Sequence, residues 1–161
     1  METNRRVFLQ FSAEVTGYAS SELEGTGLVD QYFVLVGQVV GLALGDSLYE
    51  LCAQVLQITD AGERHKAIAT QFLPSPIWGP VLNNVITLWY LGVWNQLPDT
   101  FYQAASLPKP GPTDAGRPHV PSALAYVEQL SYRNAGAHTP GAKPTGFGSW
   151  SIAPQTTDLI S

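Results

Sequence analysis

Apolar residues recur at helical spacing up to about Asn95 and lose that rhythm afterwards. Phe8, Phe11 and Val15 form one stripe, predicting a first helix from near Asn4 to a stop at Gly17. Ser21 and Glu24 fit a capping box at a short turn. Leu28, Val29, Tyr32, Phe33, Val36, Val39 and Val40 follow the i, i+3, i+4, i+7 pattern. Many are β-branched, yet the length and the match favour a helix, apolar on most sides and ended by Gly41 and Gly45. A second capping box, Ser47 to Glu50, opens a helix carrying Leu48, Leu51, Cys52, Val55 and Leu56. Asp60 to Glu63 reads as another helix start, with Ile68 and Phe72 inward. Pro74 and Pro76 stop that helix. Ile77 to Trp94 follows, with Val81, Val85, Leu88, Trp89 and Gly92 on one side.

The remaining chain is read mostly as irregular. Eight of the 12 prolines lie between Pro108 and Pro154. A last helix is expected near Ser122 to Arg133, carrying Leu124, Val127 and Leu130. The fold class expected is all-α: one small bundle of about five to six helices with a long Gly/Pro-rich C-terminal arm. Within this single domain the expected parts are a helical core (1–95), a Pro-rich loop (96–120), a last helix (121–133) and an extended interface arm (134–161). The apolar run Tyr32 to Leu44 is 13 residues long. A membrane crossing needs about 20, so a buried core helix is expected there.

Charge narrows the partners. Net charge is −5 and no Lys/Arg run occurs, which argues against nucleic acid. Only 13% of residues are charged, about half the usual ~25%. So little charge on a globular chain implies that part of its surface is covered by something else. Arg5 and Arg6 resemble a twin-arginine signal, but Glu14 interrupts what should be an apolar stretch, so a structural helix with surface arginines is expected.

Few residues suggest chemistry. The one cysteine, Cys52, lies in an apolar pattern and reads as a buried small hydrophobe. His65 sits among Glu63, Arg64 and Lys66 on a solvated face, and His119 in a loop. His138, in the tail, is the one histidine with scope for acid–base or interface work. No metal-ligand spacing, G-x-S-x-G elbow or G-x-G-x-x-G turn occurs, so no catalytic, cofactor or metal residue is assigned to this chain. Rival possibilities are an enzyme using His138 and a stand-alone module binding a small ligand between helices.

The tail carries the most information. Glycines and prolines from Asn134 onward cannot build a core of their own. Yet Phe147 and Trp150 are large aromatics of the kind that anchor interfaces. The arm either wraps a partner or folds back on its own helices.

Three segments together resemble one family. Phe8-Leu9-Gln10-Phe11-Ser12-Ala13-Glu14-Val15-Thr16-Gly17-Tyr18 is similar to an F-x-x-L-S-x-x-L-T-G opening. Ile86-Thr87-Leu88-Trp89-Tyr90-Leu91-Gly92-Val93-Trp94 resembles an L-x-x-W-Y-x-G helix. Tyr126, Leu130, Tyr132, Arg133, Gly136-Ala137-His138 and Gly146-Phe147-Gly148-Ser149-Trp150 resemble a Y-x-x-x-L-x-W-R-x-x-G-A-H … G-F-G-x-W ending. The family is the small subunits of membrane-bound FAD-containing D-sorbitol dehydrogenases and of related fructose and glucose dehydrogenases. The resemblance covers residues 8 to 153. Val15, Phe11 and Tyr132 depart mildly from its pattern. Members carry a twin-arginine leader before the first segment; here either it was removed or this member is made without it.

The resemblance implies a non-catalytic subunit that stabilises, folds or helps export its companion. That companion is a large FAD flavoprotein of glucose-methanol-choline type. It also implies a cytochrome c subunit with haem c, and a periplasmic complex at the inner membrane. FAD then belongs to the companion. Tyr132, Arg133, His138, Pro140, Phe147, Gly148 and Trp150 are the expected partner contacts. Trp89 and Tyr90 form a second candidate region, with the core the stronger expectation for Trp89.

Overall fold

The computed structural model describes residues 2–135. They form nine helices: α1 Glu2–Thr16, α2 Ser20–Gly25, α3 Val29–Val40, α4 Leu42–Leu56, α5 Ala61–Gln71, α6 Trp78–Leu91, α7 Asp99–Ala105, α8 Ala123–Val127 and α9 Leu130–Asn134. No strand occurs among the described residues; Trp94 and His119 form an isolated antiparallel bridge, with N–H to O=C distances of 2.9 and 3.0 Å. The helical class is therefore as expected, with more and shorter helices than the pattern suggests.

The core lies between α1, α3, α4 and α6. α1 packs on α4, α3 and α6, and α3 packs on both α4 and α6. The apolar stripe of α1 brings Phe8 to Phe33 and Phe11 to Phe72, at ring separations of 6.0 and 5.0 Å. Tyr32 and Trp89 are both buried and meet edge to face at 4.9 Å. The Tyr32 hydroxyl donates to the Leu88 carbonyl at 3.0 Å, which satisfies it inside the core. Burial pushes the Tyr32 phenol and the Cys52 thiol far above their ordinary pKa values, so both stay neutral. Cys52 is the buried hydrophobe expected, and Trp89 belongs to the core.

Gly41 ends α3 as expected, and its φ of +77° makes the joint to α4, which starts at the next residue. Three details differ from the sequence pattern. Gly45 and Ser47 lie inside α4, and the Ser47 hydroxyl donates to the Ala43 carbonyl at 3.2 Å instead of capping a helix. At α2 the cap is Glu22, whose carboxylate accepts from the Ala19 N–H at 2.9 Å, two residues before the expected box. α6 ends at Leu91 because Gly92 takes a left-handed conformation, φ +63°.

The stretch 96–120 is not all loop. α7 places Phe101 and Tyr102 in the core, and Leu97 before it is also buried. Nor is 121–133 one helix: Gln129, with ψ 128°, separates α8 from α9. The break has a packing reason. Residues five apart on one helix point about 140° away from each other, whereas both Ala125 and Leu130 are fully buried. Interrupting the helix lets both face inward. The expected cap at Asp60 is present, its carboxylate accepting from the Glu63 N–H at 2.9 Å.

Candidate partner-contact surface

The three segments singled out in the sequence meet at one place. Tyr18 follows α1, Tyr90 lies near the end of α6, and Asn134 closes α9. The Tyr90 hydroxyl donates to the Thr16 carbonyl at 2.8 Å. The Tyr18 hydroxyl donates to Asn134 Oδ1 at 2.8 Å, and its ring meets that of Tyr90 edge on at 6.3 Å. Burial raises the Tyr18 pKa, keeping this donor protonated at neutral pH. The last described residues are therefore tied to the chain just after the first helix.

Of the expected partner contacts, two are described. Tyr132 is half-buried. Burial, then the neighbouring Tyr126 side chain of α8, raises its pKa. Arg133 is exposed, and its guanidinium approaches the Glu128 carboxylate at 4.0 Å. His138, Pro140, Phe147, Gly148 and Trp150 lie outside the described residues.

Leu91, Val120, Leu124 and Tyr126 are 50%, 47%, 44% and 48% exposed. Where α6 ends, a Cβ on Gly92 would stand 2.3 Å from the Ala125 carbonyl oxygen of α8. Leu124 instead faces Gly27, 3.6 Å from the place a Cβ on that glycine would take. No charged residue occurs in the sequence from Ala67 to Pro98, or from Pro118 to Val127.

Asn84 was also missed. It is buried on α6, accepts from the Asn95 N–H at 2.8 Å and donates to the Pro80 carbonyl at 3.4 Å. It thereby fixes the chain as it leaves α6 towards Trp94 and α7. An isolated Asn in an apolar stripe gives no hint of this.

Several charged groups elsewhere hold the fold together. Glu14 takes Arg64 at 3.0 Å and His65 at 3.3 Å, joining α1 to α5. Arg64 also donates to the Ile58 and Thr59 carbonyls at 2.9 and 3.0 Å, satisfying the chain after α4. His65 is exposed on that face, as expected. Arg5 binds Asp30 and approaches Glu24 at 3.7 Å; its guanidinium holds the Asp30 carboxyl below the usual range. Arg5 thus ties α1 to α3 as a structural residue.

An open groove between α3 and the Pro-rich stretch is lined by Gln38, Tyr102, Leu107, Lys109 and Asp114. Its charges are partnered internally: Lys109 with Asp99 at 2.7 Å, and Asp114 with the Gly111 N–H at 2.6 Å. Among the described residues no three His, Cys, Asp or Glu side chains are grouped to hold a metal ion. No helix among them is long and apolar enough to cross a membrane.

The described residues thus define a small all-α body with several exposed hydrophobic side chains at its surface. No family model, curated protein or solved structure matches this chain.

Proposed function

We propose that this chain is the non-catalytic small subunit of a FAD-dependent sugar or polyol dehydrogenase, stabilising the flavoprotein that performs the oxidation. The observation that carries it is the meeting of the three family-like segments at the Tyr18–Tyr90–Asn134 knot. Segments more than a hundred positions apart in sequence, and similar in order to one family, share one structural purpose: they hold the root of the arm. The low charge of the chain fits permanent association, because stable interfaces are depleted of charge at their centre.

The mechanism is mass action. A subunit that binds the native flavoprotein and not its unfolded chain lowers the free energy of the native form. At a hundredfold excess over Kd the gain is about 2.7 kcal/mol. FAD sits in the companion and supplies the hydride chemistry there; haem c in a third subunit carries electrons onward. The periplasmic side of the inner membrane is the proposed site of assembly. On the chain's side, the aromatic-bearing arm acts as the clasp.

The test is expression of the companion flavoprotein with and without this chain. Its soluble yield and dehydrogenase activity are expected to collapse when the chain is omitted. Equal yield and activity in both preparations would contradict the role.

A further inference from the structure

We infer that residues 121–135 form a strap over the end of α6 that opens as one unit while the rest of the bundle stays folded. The opening is a property of this chain's own fold and needs no companion.

The strap owes its structure to docking. α8 and α9 are five residues each, and helices shorter than about 12–15 residues are marginal in water by themselves. Both pack on α6. Yet the strap sinks little into the core: its buried residues are Ala125 and Leu130. α6, of similar length, buries Val81, Leu82, Val85, Leu88 and Trp89. Segments with few buried apolar contacts are the ones that open at low free energy.

Hydrogen bonding draws the boundary of the unit. The backbone N–H groups of Tyr126, Glu128, Tyr132 and Ala135 bond to the carbonyls of Ser122, Leu124, Gln129 and Ser131, all inside the strap. Among the described residues no backbone bond runs from the strap to the body. Just before it, His119 is bridged in both directions to the fully buried Trp94. The chain is pinned at His119, and the hinge follows it.

Two side chains of the body clip the strap, one at each end. Gln31 of α3 takes the front: its amide donates to the Pro121 carbonyl at 3.3 Å, and its oxygen accepts from the Ser122 hydroxyl at 2.7 Å. Ser122 in turn caps α8, its oxygen accepting from the Ala125 N–H at 3.1 Å. Tyr18 takes the back, donating to Asn134 Oδ1 at 2.8 Å. Between the clips the Ala125 carbonyl stands close against Gly92, and Leu124 lies beside Gly27. Neither short helix stands alone, so undocking one end removes the support of the other and the two leave together. Opening uncovers the end of α6 at Gly92.

Native-state hydrogen exchange on the full chain, followed amide by amide by NMR, tests this. The amides of Tyr126, Glu128, Tyr132 and Ala135 should share one opening, about tenfold or more as populated as the one that exposes Val36 and Val85 in the core. Tyr18→Phe removes one clip bond and keeps the ring. All four amides should then exchange faster by one common factor, about two- to tenfold, the worth of a single hydrogen bond. Val55→Ala, in α4, should speed the core amides about tenfold or more and leave the four strap amides unchanged. A Tyr18→Phe effect that is absent, or confined to Tyr132 and Ala135, would overturn the inference. So would strap amides that speed up together with the core in Val55→Ala. Should that variant fail to fold, urea below the unfolding transition reads the same quantity in the unaltered chain. Strap exchange should rise with urea far less steeply than core exchange, because less surface is exposed, and equal slopes would overturn the inference.

Discussion

Gly92→Ala is expected to destabilise the chain by about 3 kcal/mol or more, lowering Tm by roughly 6–12 °C. Two effects combine. The residue sits at φ +63°, where an L side chain costs about 1–2 kcal/mol. In addition, the new Cβ would lie 2.3 Å from the Ala125 oxygen and 2.8 Å from its carbonyl carbon. Those are backbone atoms, so α8 must move away and the contacts of the fully buried Ala125 loosen with it. Gly17→Ala separates the two effects. Gly17 has φ +77° with nothing within 4 Å of the place its methyl would take, so strain alone acts there, at about 1 kcal/mol. Thermal melts of both variants check this; equal losses at the two sites would show that α8 does not press on Gly92.

Ending the chain after Ala135 is expected to leave the body folded and to abolish retention of the companion. The cut spares Asn134, whose side chain accepts from Tyr18, and spares every helix described. Helical signal and Tm should therefore stay near those of the full chain. What is lost is Phe147 and Trp150. Buried aromatic anchors are worth about 2 kcal/mol or more each, so losing both should weaken binding roughly a thousandfold. Co-purification of the flavoprotein with full and shortened chains reads the effect. Undiminished recovery with the shortened chain would mean that the arm is not the clasp.

The bundle was legible in the sequence because its signal is local. The stripes of Phe8, Phe11 and Val15, and of Val81, Val85 and Leu88, follow helical period with few interruptions. Asp60 caps where its spacing places a cap. Failures came where tertiary packing outweighs local preference. Prolines around 98–112 concealed α7, although Leu97, Phe101 and Tyr102 already had helical spacing; Pro98 simply precedes the first turn. The glycine at 45 looked like a stop, but a helix interior tolerates one when its neighbours bury enough surface. The α8–α9 break answers a demand set by distant partners, and no run of a dozen residues records it.

Composition and resemblance single out Tyr132 and the segment after Asn134 as expected partner contacts. The exposure of Leu124 and Tyr126 is a fact of packing that apolar residues in a helical pattern do not announce. Asn84 shows the opposite case: a polar residue in an apolar stripe whose work, holding Asn95, depends on where the chain turns.

Native mass spectrometry of the tagged full chain, isolated without denaturant from the cell that makes it, tests the arm's attachment to another protein most directly. A complex far heavier than 17.4 kDa that contains a flavin-bearing companion is expected. A lone 17.4 kDa species without flavin, with Phe147 and Trp150 protected by its own helices, would contradict it.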